Sequence, residues 1–268
     1  MSMLEIARFE ARRRTRSAAA LTLLILALIA LTIGLYPSIS DTGVDLDAYL
    51  ETLSPELRQS FVGSVTSLTS IDGYLVSQLY VLVWLLILGI YFAYAAASLV
   101  SSEIEHRSID LLLVNPISRT RFIVEKFLAL LPVNIAVNGI ALVTVYFGIQ
   151  FVGESLPLED LLALHGLFVI YLAACSGLGL VASVAFDDVR RAQGVGIGLL
   201  FATYFLDSLT RGTDYEWAGQ FSFARYLDPA DVLSLGEIDW LGTAILLAAT
   251  IGLVVLAAEL FERKDING

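Results

Sequence analysis

Six long apolar stretches constrain this chain more than any other feature of its sequence. They cover about residues 18–36, 74–100, 122–149, 161–186, 192–206 and 240–258, and are named spans one to six below. A helix needs about 20 mostly apolar residues to cross the hydrocarbon core of a bilayer, and the fifth stretch is the shortest of the six. With 57% hydrophobic residues, the chain is predicted to be an all-α polytopic membrane protein, with residues 1–268 forming a single domain.

The positions of the basic residues predict how these spans are oriented. If the N-terminus is cytoplasmic, six spans place both termini and 13 of the 16 lysine and arginine residues in the cytoplasm. That side then also holds 11 of the 27 acidic residues, for a charge of 13 − 11 = +2, and the outer side holds 3 − 16 = −13. Such a positive-inside bias predicts six spans with N- and C-termini cytoplasmic. The acidic outer side is compatible with a halophile, because salt screens the repulsion between carboxylates.

The first twenty residues contain five arginines and alternate charges with apolar side chains such as Leu4 and Phe9. This pattern predicts a short helix lying at the membrane interface. A pair such as Arg13-Arg14 before an apolar run also occurs in secretion signals. Span one is longer than the apolar region of a signal peptide, however, and five more spans follow it. We therefore expect span one to be a retained anchor.

The polar connection between spans two and three, residues 102–119, has an apolar middle that consists of Ile109 and residues 111–114. Apolar side chains on a short polar loop are unfavourable unless another surface covers them. The segment therefore reads as a docking surface for another protein. The alternative is a loop that lies on the membrane with its leucines among the lipid headgroups.

The same connection carries signals for helix ends. Glu103 and Arg107 are four residues apart, which suits an ion pair on a helix and predicts a cytoplasmic helix here. Pro116 ends that helix, because the residue before a proline avoids the α region. Ser118 is a predicted N-cap for the helix that leads into span three. Pro132, inside span three, predicts a kink in that span.

The search for catalytic or metal-binding motifs gives mostly negative results. The glycines at 194, 196 and 198 lack the lysine of a phosphate-binding loop and are interpreted, with Gly177 and Gly179, as helix-packing points. The two histidines, His106 and His165, are too far apart in sequence to predict a metal cluster, and His165 is interpreted as a packed polar residue. Cys175 is the single cysteine. The net charge of −11 argues against nucleic-acid binding.

The interiors of the spans contain no Asp, Glu, Lys or Arg, and Asp207 and Glu259 lie at span ends. Ion-coupled carriers usually place an ionisable group at depth, because that group couples ion movement to transport. Energy for any transport is therefore expected to come from outside this chain. On the outer side, residues 47–65 predict an amphipathic helix, and the aromatic residues of the 207–239 loop predict interface anchors.

The polar connection resembles the coupling loop of the type-two ABC exporter permeases. The resemblance rests on Glu103-x-Glu105-x-x-Ser108-Ile109-Asp110-Leu111-Leu112-Leu113-x-x-Pro116-Ile117-Ser118-Arg119, followed by Lys126-Phe127. Three other places agree: Tyr36-Pro37-Ser38-Ile39, Asp72-Gly73-Tyr74, and Phe261-Glu262-Arg263-Lys264-Asp265-Ile266. One departure is His106-Arg107-Ser108, where the family more often has Gly-Thr. The similarity runs in order along essentially the whole chain.

This resemblance implies a permease that is not an enzyme and holds no cofactor, with ATP-Mg bound by a separate ATP-binding cassette subunit. Two permeases, identical or paired with a sister, would sit in the plasma membrane of a prokaryote. The resemblance assigns ATPase coupling to Glu103, Glu105, Arg107, Asp110, Leu111, Leu112, Leu113, Pro116 and Arg119. It also implies a substrate path at the dimer interface that involves Tyr91, Tyr94 and Thr203. Two alternatives stay open: a secondary carrier or channel that works alone, and a non-transporting membrane scaffold or sensor.

Overall fold

The computed structural model describes Ala7, Glu10, Ser67 and residues 14–40, 69–106 and 118–264. These parts of the chain contain helices and no strand. Three sequence predictions lie wholly or mostly outside them: the interfacial helix before span one, of which only Ala7 and Glu10 are described, the amphipathic helix at 47–65, and the middle of the polar connection at 107–117. The all-α prediction is confirmed.

Six helices of the described chain are long and apolar enough to cross a membrane, which confirms the six predicted spans. Span one is α1 (Thr15–Ser40) and span two is α2 (residues 71–97), which leads into the short α3 (Ser101–Glu105). Span three consists of α4 (Arg119–Leu128) and α5 (Leu131–Phe151), span four is α6 (Leu158–Ala185), and span five is α7 (Val189–Thr210). After two 3₁₀ helices (Glu216–Phe221 and Phe223–Tyr226) and α8 (Pro229–Leu235), span six is α9 (Trp240–Arg263).

Contacts between helix ends show that successive spans alternate in direction. At one end, named the basic end, Lys126 at the start of span three contacts Glu103 after span two, and Lys264 after span six contacts Val184 in span four. At the opposite end, named the acidic end, Tyr36 contacts Glu154, and the carboxylate of Asp207 accepts hydrogen bonds from Arg211 and Arg225. The up-and-down order expected of six spans is therefore present.

Span four is the most buried of the six spans and forms the centre of the bundle. It packs against spans two and six, with Phe168 buried beside Tyr80 and Trp84 of span two, and the buried Tyr171 hydroxyl donates to the carbonyl of Leu85 at 2.7 Å. Spans one and five are the least covered by the rest of the chain. Away from the helix ends, their exposed side chains are mostly apolar, as expected of helices that face lipid or another protein.

Small residues allow the close helix crossings. A Cβ on Gly179 would lie 2.1 Å from the carbonyl oxygen of Ala93, and a Cβ on Gly177 would lie 3.1 Å from Leu253. A Cβ on Gly196 would be 3.6 Å from both Ala97 and the Cα of Gly179. The packing interpretation is thus confirmed for these three glycines. The glycines at 194 and 198 make no such contact within the described chain, where a Cβ would have no neighbour within 4 Å.

Two spans depart from a regular α-helix. In span two, Val76–Leu88 is π-helical, and no residue pattern in the sequence indicates this. Span three is interrupted between α4 and α5, so the kink predicted at Pro132 is a short break instead. Pro132 lies in the first turn of α5, where a missing N–H is tolerated, and the amide of Leu130 donates to the carbonyl of Phe127 in a tighter turn at 3.0 Å.

A fully partnered polar cluster joins spans two, three and four inside the bundle. The Oδ1 atom of Asn138 accepts from Trp84 Nε1 at 2.9 Å and lies 3.3 Å from His165 Nδ1. An amide oxygen only accepts, so Nδ1 carries the imidazole proton, and Nε2 accepts from the hydroxyl of Tyr80 at 3.3 Å. Asn138 also donates to Asn134, which donates to the carbonyl of Val169. This arrangement agrees with the interpretation of His165 as a packed polar residue.

Candidate coupling site at the basic end of the bundle

The polar connection rejoins the bundle at Ser118. This residue has an extended backbone, and its hydroxyl oxygen accepts a hydrogen bond from the amide of Arg121 at 3.2 Å. The predicted N-cap is therefore confirmed. An N-cap bond of this kind satisfies one of the free amides of the first turn and fixes where the helix begins.

Lys126, further along α4, points into the bundle and holds two carboxylates. Its Nζ atom lies 2.8 Å from Glu103 Oε1 and 3.0 Å from Glu10 Oε2, while Glu10 Oε1 accepts from Arg14 Nε at 3.0 Å. Lys126 is 2% exposed and Glu10 is 4% exposed. These four residues, named the charge chain, connect the region before span one, the end of span two and the start of span three.

The charge chain controls the ionisation of Glu10. Burial alone would raise the pKa of this carboxyl, but the charges and hydrogen bonds of Lys126 and Arg14 outweigh burial and hold the pKa below its ordinary value. A carboxyl with a depressed pKa in the folded state stabilises the fold above its unfolded pKa. That stabilisation is lost as the pH falls through the folded pKa.

A pH prediction follows from this direction. Glu10→Gln resembles the protonated side chain, so we expect the wild type to have the higher melting temperature at pH 7. The difference should shrink as the pH falls below the ordinary value of 4.5. Thermal unfolding of both proteins in detergent across this range measures it, with Glu259→Gln as a control at an exposed site. A difference that grows on acidification would contradict the depressed pKa.

The short helix α3 is attached to spans four and five. The hydroxyl oxygen of Ser183, at the end of span four, accepts from the amides of Val100 and Ser101 at 2.8 and 3.0 Å. At the other end of α3, Glu105 Oε2 accepts from the amide of Val189, the first residue of span five, at 2.8 Å. The helix α3 is thus held at its beginning by the end of span four and at its end by the beginning of span five.

Arg119 is attached to the end of span six. Its guanidinium donates to the carbonyls of Phe261, Glu262 and Lys264 at 3.1, 3.2 and 2.8 Å. A cation is favourable at this position because the last carbonyls of a helix lack amide partners and carry partial negative charge. The hydroxyl of Thr120 also donates to the carboxylate of Glu262.

Of the residues assigned to ATPase coupling by resemblance, the structure describes three. Glu103, Glu105 and Arg119 each bind a partner within the chain, and those partners lie on different helices. The other six lie outside the described residues: Arg107, Asp110, Leu111, Leu112, Leu113 and Pro116. The predicted ion pair between Glu103 and Arg107 is therefore not tested.

Sequence reasoning did not identify Glu10, Arg14 and Ser183 as parts of this site, and it noted Lys126 only as a basic residue of the loop motif. A lysine flanked by Phe122, Ile123 and Phe127 was the available signal, because those apolar neighbours place position 126 on the buried face of α4. Its two partners are 116 and 23 residues away in sequence. No local pattern predicts such a contact.

The residues of the implied substrate path lie on spans two and five, which contact each other. Gly89 of span two packs against Leu200 of span five, and Ala97 lies against Gly196. Tyr91 is partly buried and Tyr94 is 45% exposed on the same part of span two. Thr203 lies one turn beyond Leu200, and its hydroxyl donates to the Leu200 carbonyl at 3.0 Å. The structure thus places all three on one pair of neighbouring helices.

The comparison with known families decides the class of this protein. Residues 4–266 match the family model described as ABC-2 family transporter protein. The chain belongs to the ABC-2 transporter family. The match covers nearly the whole chain and all six spans, so this ABC-2 protein is the multi-pass membrane subunit of an ABC transporter. No individual curated protein matches the chain.

Membership of the ABC-2 family gives the basic end its context. An ABC-2 membrane subunit is a transport subunit rather than a catalyst, and such subunits generally work with an ATPase subunit. In this ABC-2 protein, the charge chain, α3 and Arg119 lie together at one end of the bundle. Charge-assisted contacts there connect spans one, two, three, five and six.

Proposed function

We propose that this ABC-2 protein is the permease subunit of an exporter. Residues 102–119 bind a separate ATPase subunit and transmit its movement to the spans. The observation that carries the proposal is the apolar run Leu111–Leu113 within a polar connection whose two ends are fixed to the bundle. Glu105 attaches one end to span five, and Arg119 attaches the other to span six. A loop anchored in this way can pass a displacement of its middle to several spans.

The charged residues and motifs of the chain support an energy source outside it. The sequence has no nucleotide-binding motif, and the charged side chains of the spans, including the buried Glu125 and Lys126 of α4, all lie towards span ends. The most deeply buried carboxylate at a span end, Asp207, is neutralised by Arg211 and Arg225 at 2.8 and 3.1 Å. Such a partnered group differs from the ionisable groups at depth that couple ion flow in carriers.

The substrate path is proposed to lie where two permeases meet, with Tyr91, Tyr94 and Thr203 along it. Span five supports this role, because its exposed face is apolar and aromatic and includes Leu199, Phe201 and Phe205. A second permease, identical or a sister subunit, would cover this face. Apolar and aromatic walls favour an amphipathic cargo, and the prokaryotic plasma membrane is the proposed location.

Leu112→Asp tests the docking role. We expect the variant to insert in the membrane normally but to uncouple ATP hydrolysis from transport, because a charge cannot be buried in an apolar groove without a partner. Asn115→Asp is the matched control, since it adds the same charge to the same loop and removes no apolar side chain. The readouts are copurification of an ATP-binding cassette subunit, ATP hydrolysis and transport in vesicles. A Leu112→Asp variant that copurifies and transports normally would show that the docking role is wrong.

The orientation is tested separately. Cys175 is the only cysteine of the chain and is buried, so a Leu112→Cys variant offers one accessible thiol. We expect a membrane-impermeant maleimide to label this thiol in inside-out vesicles and not in intact cells. Labelling in intact cells would place the loop on the outer surface and exclude an ATPase partner there.

A further inference from the structure

Glu105 makes a contact that an ATPase-binding residue would not need. Its carboxylate accepts the amide hydrogen of Val189 at 2.8 Å, at the first residue of span five. The first amides of a helix have no partner within the helix and carry partial positive charge, so a carboxylate is favourable there. The side chain of Asp188 caps a second amide of the same turn, that of Arg191, at 2.7 Å. Two carboxylates therefore hold the N-terminus of span five, and one of them belongs to α3.

The other attachment of α3, at its buried end, determines how the contact with Val189 responds when the loop moves. Ser183 binds the amides of Val100 and Ser101 inside the bundle, where Ser183 and Ser101 are fully buried. The opposite end of α3, at Glu105, is exposed. A short helix that is fixed at its buried end and continues into the polar connection at its exposed end swings about the buried end. The contact with Val189 lies at the end that moves furthest.

Span five is also the helix best placed to respond. It and span one are the two spans least covered by the rest of the chain, and its contacts with span two include the small residues Gly196 and Ala97. A helix held by few side chains moves at lower energetic cost than one interlocked with its neighbours. Thr203, which we place on the substrate path, lies on this helix.

We propose that Glu105 is a positioning residue that passes a displacement of the coupling loop to span five through its bond to Val189. This inference rests on the proposed function, because it assumes an ATPase that moves the loop. It differs from the role implied by the resemblance, in which the charge of Glu105 contacts the ATPase directly. The two roles need different chemistry. A helix cap needs a hydrogen-bond acceptor at this position, whereas an ion pair with a partner protein needs the negative charge.

The test uses the full-length protein purified with its ATPase subunit in nanodiscs. Leu209→Cys, at a 75% exposed position near the outer end of span five, reports on the movement of that span through its rate of maleimide labelling. The rate is measured without nucleotide and with ATP and vanadate. In this background Glu105 is changed to Ala or to Gln. Glu259→Gln changes an exposed carboxylate of span six towards the basic end of the bundle, where Glu105 also lies, and is the matched control.

We expect Glu105→Ala to keep the ATPase bound and hydrolysing ATP but to reduce the nucleotide-dependent change in labelling about threefold, as for the loss of one helix cap. Glu105→Gln should have a smaller effect, because its amide oxygen still accepts, and Glu259→Gln should have none. An unchanged response in Glu105→Ala overturns the inference. Equal loss of bound ATPase in the Ala and Gln variants also overturns it, since the charge would then be the contact.

Failure of the proposed function is recognised before any substitution of Glu105. If the protein with intact Glu105 retains no ATPase, or its span five shows no response to nucleotide, the proposed coupling is wrong and the role of Glu105 is wrong with it. If that protein responds and Glu105→Ala responds equally, the proposed function stands and only the role of Glu105 is overturned.

Discussion

Gly179→Ala is expected to separate spans two and four and to lower the yield of folded protein sharply. A Cβ at this position would lie 2.1 Å from the Ala93 carbonyl oxygen and 2.9 Å from its carbonyl carbon. These are backbone atoms of a packed helix, so no side-chain rotation relieves the clash. Overpacking a well-packed core costs about 1–3 kcal/mol, and backbone-to-backbone contact places this variant at the upper end of that range. The melting temperature in detergent, followed by size-exclusion fluorescence, measures the effect.

Gly166→Ala is the matched control for this prediction. It makes the same substitution in the same helix, at a position where a Cβ would meet nothing within 4 Å in the described chain. Because alanine is favoured over glycine in a helix interior by about 1 kcal/mol, this variant should be neutral or slightly stabilised. Equal melting temperatures for the two variants would show that spans two and four do not cross at Gly179.

Lys126→Met is the second change with a large expected effect. It leaves the carboxylates of Glu10 and Glu103 in a buried site without their shared cation. Removing one partner of a buried ion pair costs about 3–5 kcal/mol, because the remaining charge has lost its solvent and its counter-charge. We expect little folded protein at pH 7. Thermal unfolding and detergent-solubilised yield are the measurements.

Two further variants make the Lys126 prediction specific. Arg190→Met removes an exposed cation at the same end of the bundle and should change stability little. Adding Glu10→Gln and Glu103→Gln to Lys126→Met should recover much of the lost stability, because no unpaired charge then remains buried. If the triple variant is no more stable than Lys126→Met alone, the loss arises from side-chain packing and not from charge.

The spans could be predicted from the sequence because each is signalled by its own residues. A run of apolar residues of span length needs no knowledge of its neighbours, and neither does an N-cap such as Ser118. The alternating direction of the spans follows because each consecutive span crosses the membrane back again. These features are local, and the structure confirms them.

The coupling site could be predicted only in part, because its contacts join residues that are distant in the chain. The sequence marked residues 102–119 as unusual but did not show that Lys126 points inward or that Glu105 reaches Val189. His165 was interpreted as a packed polar residue, yet its meeting with Asn138, which also binds Trp84, depends on how three helices are rotated. The break before Pro132 and the π-helical part of span two depend on the packing around them rather than on local propensity.

The crossing of Gly179, Gly196 and Ala97 has a mechanical consequence. Where the side chains of two helices interdigitate, one helix can slide along the other only if many of those side chains change conformation at once. At this crossing the atoms nearest to Gly179 and Gly196 are backbone and methyl groups. A small rotation of span five about this point therefore disturbs few side chains, whereas Leu200 packed against Gly89 opposes sliding along span two.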